Sequence, residues 1–135
     1  MSADLKTDDV CAAHVMVRRF VSAAPEETLG ELADRLAAAD AGSALVVEFG
    51  RLTGIVTSRD IVRAVAGRVH PSEGTVRESM TEAPVTAPPE LPIEEAARLM
   101  LNGGFHHLPV VEERRPVGVV GLRSAISALR RFPGW

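Results

Sequence analysis

The sequence predicts an α/β (α+β) fold built from two tandem β-α-β-β-α units. Three observations predict it: a self-match at a constant offset of 64 residues, an amphipathic helix in each copy, and a hairpin pattern after each helix. Neither copy of about fifty residues buries enough apolar surface to be stable alone. We therefore expect both copies to fold as one pseudo-two-fold body. The identical pairs include Met16 with Met80, Pro25 with Pro89, Gly54 with Gly118 and Arg59 with Arg123.

The composition is that of a soluble globular chain. Of its 135 residues 46% are apolar and only 4% aromatic, so the core must consist mainly of Val, Leu, Ile and Ala. A net charge of −3 predicts no nucleic-acid partner. The single cysteine, Cys11, fits a reducing compartment, and no apolar run approaches the ~20 residues of a membrane helix. We expect a cytoplasmic protein without a secretory signal or membrane association.

The repeat divides the chain into two halves joined by a short linker. The first repeat is predicted at residues 10–67 and the second at 76–131, with a Pro- and Gly-bearing linker at 68–75. Residues 1–9 and 132–135 are predicted to be tails.

The first repeat begins with a strand-like segment at residues 20–23. Apolar residues then recur at i, i+3, i+4 and i+7, and Thr28 with Glu31 forms a capping box at the helix start. A hairpin follows over residues 44–56, with its turn at Gly50 and Arg51, and a second helix ends near Gly67. The apolar helix face consists of Leu29, Leu32, Ala33 and Leu36.

The second repeat has the same order of elements. A strand is predicted at 85–87, and a helix begins at Pro92 and stops at Gly103 and Gly104. The hairpin strands are predicted at 108–111 and 117–120, and the last helix ends near Arg131. The apolar face of the first helix consists of Ile93, Ala96, Ala97 and Met100.

The segment from Gly54 to Arg63 carries the strongest functional signal. A β-branched run ends at Thr57, a good N-cap, and Asp60 lies three residues later, where a capping-box acid belongs. The free N–H groups of a helix start attract anions, and a carboxylate there accepts hydrogen bonds from a sugar diol. Two interpretations stay open: a nucleotide site, or a helix cap without a ligand.

Together these motifs resemble a cystathionine β-synthase (CBS) domain pair, also called a Bateman module. The resemblance rests on the two β-α-β-β-α units and on Gly-Ile-Val-Thr-Ser-Arg-Asp at residues 54–60. Residues 76–81 are similar to the opening segment of the family's repeat, and Phe-His-His-Leu-Pro-Val-Val at 105–111 to its second strand. The resemblance covers residues 10–131 and implies a regulatory module that binds AMP, ADP, ATP or S-adenosylmethionine.

The resemblance also implies which residues bind the ligand. Asp60 and the capping Thr57 would hold the ribose, and Pro84 and Val85 would line the adenine. The remaining residues would lie toward the phosphates, namely His106 and His107, with Pro109 behind them and Arg59 as an added cation. Family members often have His-Arg where this chain has His-His, so a permanent cation is missing there.

The second copy of this site has lost its functional groups. Gly121 and Ser124 stand where the first copy has Thr57 and Asp60, and Gly42 and Ser43 stand where the second strand has its histidines. We therefore expect at most one working site per chain.

Other functions find little support in the sequence. No nucleophile and base stand at a recognisable spacing and no P-loop is present, so the chain is predicted not to be an enzyme. A metal role for His106 and His107 is disfavoured because adjacent strand residues point to opposite faces. Arg130 and Arg131 are interpreted as solvated surface. The resemblance implies a homodimer and an unidentified regulated partner, and the alternative is a structural or protein-interaction module with vestigial sites.

Overall fold

The computed structural model describes residues 9–132, which form six helices and six strands. The first half contains α1 Ala12–Val15, β1 Val21–Ala23, α2 Leu29–Ala39, β2 Ser43–Glu48, β3 Arg51–Thr57 and α3 Ser58–Ala66. The second half contains α4 Val76–Ser79, β4 Thr81–Glu82, α5 Ile93–Gly103, β5 His107–Glu112, β6 Arg115–Gly121 and α6 Leu122–Leu129. The predicted β-α-β-β-α order is confirmed, and a short helix, α1 or α4, opens each repeat. In the described part of the chain no helix is long and apolar enough to cross a membrane.

Residues 19–84 and 114–116 form one compact unit, here called the first-repeat unit. Its sheet has the order β1-β2-β3-β4, with β1 parallel to β2 and the other pairs antiparallel. Helix α2 buries Leu29, Leu32 and Leu36. Ala33, predicted on the same face, is half-buried.

The second-repeat unit consists of residues 9–18, 85–113 and 117–132. Strands β5 and β6 form a two-stranded sheet, which single bridges extend at both edges. The bridge between Ala87 and Val110 is equivalent, at the offset of 64 residues, to the pairing of Ala23 with Val46 in the first repeat. All four residues predicted on the apolar face of α5 are buried: Ile93, Ala96, Ala97 and Met100.

Each unit contains the opening segment of the other repeat. In the first-repeat unit a Cβ on Gly54 would lie 2.7 Å from the Met80 sulfur, and in the second-repeat unit a Cβ on Gly118 would lie 2.5 Å from the Met16 sulfur. Such separations are far below van der Waals contact, so a larger residue at either glycine would force the packed methionine side chain to move. The predicted repeat boundaries describe the duplication in the sequence and stay a prediction, because the compact units combine residues of both repeats.

The structure corrects several predicted boundaries. The strand predicted at 85–87 is reduced to the single bridge at Ala87, and α6 ends at Leu129 rather than near Arg131. The hairpin turns lie at residues 49–50 and 113–114, and all four residues have positive φ. Two-residue turns with that backbone match the right-handed twist of the flanking strands. Phe-Gly lacks the usual Asn-Gly signal, which is why the first turn was predicted one residue too late. The second turn lies where it was expected, between the predicted strands at 108–111 and 117–120.

Candidate functional site

The start of α3 carries the predicted capping box. Strand β3 runs directly into the helix, and the Asp60 N–H donates to Thr57 Oγ1 at 3.2 Å. In return Asp60 Oδ2 accepts from the Thr57 N–H at 2.8 Å and from its hydroxyl at 3.0 Å. Both side chains are half-buried. The Asp60 carboxylate is therefore held in place while its other oxygen has no partner among the described residues.

The start of α6 lacks this arrangement. The N-cap residue is Gly121. Because glycine has no side chain, it cannot accept a hydrogen bond from the first turn of the helix. The backbone connection is retained, since the Leu122 N–H donates to the His106 carbonyl at 2.9 Å, just as the Ser58 N–H donates to Gly42. The two copies thus keep the same backbone but differ in their polar groups, as the sequence comparison predicted.

The predicted histidines lie in the second-repeat unit, at the start of β5. His106 and His107 line a pocket of about 730 Å³ together with residues at the beginning and along one side of α6. His106 precedes the first residue of β5, so the alternation of strand side chains does not separate it from His107. Both residues line one pocket, and the expectation that their side chains face opposite sides stays a prediction.

Arg123 and Arg130 line the same pocket, and the sequence analysis missed them. Arg123 lies in the first turn of α6 and Arg130 is its C-cap residue, and a spacing of seven residues places both on one face of a helix. Among residues 9–132, no carboxylate lines this pocket. Arg130 is exposed, in agreement with its interpretation as solvated surface, and its spacing from Arg123 was the signal for a shared helix face. Two permanently charged side chains thus line the same pocket as the histidines.

The other predicted site residues differ in exposure. Arg59 is exposed on the first turn of α3, and Pro84 is half-buried after β4 in the first-repeat unit. Val85 is 49% exposed in the second-repeat unit. Pro109 is buried in β5, and its carbonyl accepts the Ala87 N–H at 2.9 Å.

Burial lowers the pKa of His107 from its ordinary value of 6.5, and the nearby His106 lowers it further. His107 is therefore neutral at pH 7. An anion bound beside it would favour the imidazolium form, so that anion binding in this pocket takes up a proton.

We expect His107→Gln to reduce the loss of stability in mild acid. The lowered pKa means that the unfolded chain binds this proton more readily than the folded chain, so stability declines as the pH falls below 6.5. The free energy of unfolding, measured in urea from pH 7 to pH 5, should depend less steeply on pH in the variant. His70→Gln, which removes an exposed linker histidine, is the control. A slope equal to that of the wild type would contradict the assignment.

The fold and the site define a class of protein: a tandem α/β repeat with a capped polar helix start in one copy and a basic pocket in the other. The CBS domain family model matches residues 12–67 and 76–131. The chain therefore belongs to the CBS domain family and contains two CBS domains, as the sequence motifs predicted.

Two relatives show how much of the chain is shared. The CBS domain-containing protein YhcV of Bacillus subtilis is 30% identical over 107 residues, which are 79% of this chain and 76% of YhcV. A 17.7 kDa protein of Acidianus ambivalens is 32% identical over 107 residues, 78% of this chain and 64% of that protein.

Two similar structures contain ligands. The CBS domain protein PAE2072 from Pyrobaculum aerophilum, complexed with AMP, is 26% identical with a TM-score of 0.81, covering 90% of this chain and 99% of that one. The CBS domain pair of MJ0100, in complex with 5′-methylthioadenosine and S-adenosyl-L-methionine, is 28% identical with a TM-score of 0.80, covering 90% and 96%.

Proposed function

We propose that this chain is a non-catalytic regulatory module that binds an adenosyl ligand, such as AMP, ADP, ATP or S-adenosylmethionine. The observation that carries the proposal is the start of α3, where Thr57 fixes the Asp60 carboxylate with one oxygen unused. The complexes of PAE2072 with AMP and of MJ0100 with S-adenosylmethionine support the ligand class.

In this proposal Asp60 accepts the ribose hydroxyls, and Thr57 orients it. A charged acceptor is suited to this task because hydrogen bonds to a carboxylate are stronger than those between neutral groups. Pro84 and Val85 line the adenine, with Arg59 as a nearby cation. These roles account for the nucleoside half of the ligand.

The phosphates are assigned to the pocket at the start of β5. Arg123 and Arg130 supply permanent charge, and His106 and His107 add hydrogen-bond donors whose protonation the anion favours. Buried Pro109 supports this segment from behind. A ligand without phosphates, such as S-adenosylmethionine, would use this pocket less.

The proposed mechanism of regulation is differential affinity. A ligand that binds one conformation more tightly raises the population of that conformation, and a protein partner binds the two conformations with different affinity. Only one site per chain is expected, because Gly121 and Ser124 provide neither the cap nor the carboxylate at α6.

Titration calorimetry with AMP, ATP and S-adenosylmethionine, with GMP as the control, tests the proposal. We expect one adenosyl ligand per chain and a raised melting temperature, since ligand at 100 times its dissociation constant adds about 2.7 kcal/mol of stability. No binding of any adenosyl compound, or two equal sites, would overturn it.

A structural or interaction module is the second candidate. It is favoured by exposed valines on α3, where Val62 and Val65 are 66% and 46% exposed. Such side chains fit a contact between helices of two copies, in line with the expected homodimer. A dimer in light scattering, together with no detectable heat of binding for any adenosyl ligand in calorimetry, would favour this candidate over the first.

A further inference from the structure

The last helices of the two repeats occupy equivalent positions but differ in burial. In α6, Ala125 and Leu129 are 0% exposed and belong to the same core as Met100 of α5. At the offset of 64 residues their equivalents in α3 are Ile61, which is half-buried, and Val65, which is 46% exposed. In the described part of the chain, 9–132, α3 has no buried residue. Buried apolar surface therefore stabilises α6 much more than α3.

The sequence of α3 adds little helical stability of its own. The helix has nine residues, Ser58–Ala66, and isolated helices shorter than about 12–15 residues are marginal in water. Three of the nine are β-branched, namely Ile61, Val62 and Val65, and such side chains lose rotamer freedom in a helix. The eight residues of α6 include one, Ile126. Weak packing and weak propensity both predict that α3 opens more readily than α6.

The first turn of α3 is held by polar groups rather than by packing. The Asp60 N–H donates to Thr57 Oγ1, and Asp60 Oδ2 accepts from the Thr57 N–H in return. The Ser58 N–H also donates to the Gly42 carbonyl at 2.9 Å. Because the first turn of a helix is costly to form, a helix with little tertiary packing depends strongly on such contacts. The order of α3 and the position of the Asp60 carboxylate are therefore linked.

We infer that α3 is the regulatory element of the module: it unfolds locally in the free protein, and an adenosyl ligand bound at Asp60 holds it folded. This inference rests on the proposed function for the ligand and adds the part of the chain that responds. A ligand that binds only while Asp60 is held lowers the population of the open form by the factor 1 + [L]/Kd. The exposed side chains of Val62 and Val65 then lie on a formed helix, so the ligand favours any protein partner that binds this face.

Amide hydrogen exchange of the free protein, measured by NMR, tests the first half of this inference. The amides of residues 62–65 are compared with their equivalents at 126–129, because both sets lie beyond the first turn of their helix. We expect exchange at least about tenfold faster in α3 than in α6. Urea at about 1 M should accelerate exchange at 126–129 more than at 62–65, since a local opening exposes less surface than a global one.

Addition of AMP tests the second half. At 100 times its dissociation constant we expect AMP to slow exchange at residues 62–65 about a hundredfold, and GMP to leave it unchanged. Val62→Ala replaces an exposed β-branched residue by the best helix former and should slow this exchange about twofold to threefold without ligand. The matched control is Val17→Ala, because Val17 is 56% exposed, lies outside the helices and should leave residues 62–65 unaffected.

Equal exchange rates in the two helices of the free protein, or no effect of Val62→Ala on residues 62–65, would overturn the inference. So would AMP that binds in calorimetry without slowing exchange at these residues, and the proposed function would then stand without this switch. If no adenosyl compound binds, the proposed function fails. Faster exchange at 62–65 than at 126–129 would in that case retain the local opening of α3 and discard its control by the ligand.

Discussion

Replacing Asp60 by asparagine is expected to weaken AMP binding by about tenfold to a hundredfold. The substitution keeps the shape of the side chain and removes its charge, and a hydrogen bond to a charged group contributes about 1.5–3 kcal/mol. The amide oxygen remains an acceptor for the Thr57 N–H, so the helix start is largely preserved. Calorimetric titration of both proteins with AMP measures the change.

Glu31→Gln is the matched control for this experiment. Glu31 occupies the same capping-box position in α2, where it accepts from the Thr28 N–H at 3.2 Å. The control should lower stability slightly and leave the affinity for AMP unchanged. If both variants lose affinity equally, the effect of Asp60→Asn comes from the cap, and the ribose assignment is refuted.

Replacing Leu108 by alanine is expected to lower the free energy of unfolding by about 2–5 kcal/mol. Leu108 lies in β5 with 0% of its surface exposed, packed in a core with Met100, Val120 and Leu129. Truncation removes three buried carbon atoms and leaves a cavity that close-packed neighbours fill only in part. Urea unfolding measured by circular dichroism gives the difference.

The control for Leu108→Ala is Leu101→Ala on α5. Leu101 is 52% exposed, so the same truncation there should change stability by about 0.5 kcal/mol or less. Equal losses in the two variants would contradict the placement of Leu108 in the core. The comparison separates burial from the chemistry of the substitution.

The local parts of the candidate site could be predicted because their residues are close in the chain. Thr57 and Asp60 are three residues apart, as are Thr28 and Glu31, and both pairs form the capping boxes that their spacing indicates. The loss of the cap at Gly121 could be read by comparing the two repeats. Interactions over three or four residues depend only on helix geometry.

The basic pocket could not be predicted from spacing along the chain. His107 and Arg130 are 23 residues apart, and their shared pocket depends on how α6 packs after β6. The seven-residue spacing of Arg123 and Arg130 indicated a common helix face, but it did not indicate what that face lines. The strand was predicted to begin at residue 108, and the structure begins it one residue earlier, at His107.

The sequence by itself determined the duplication, the order of elements, the buried helix faces and the capped start of α3. Each follows from periodicity or from contacts within one turn of helix. Only the tertiary structure decided that Met16 packs on Gly118 and Met80 on Gly54, and that Arg123 joins His14 in one groove and His106 in another pocket. Those contacts join residues far apart in the chain. Their geometry depends on the path of the intervening strands and turns.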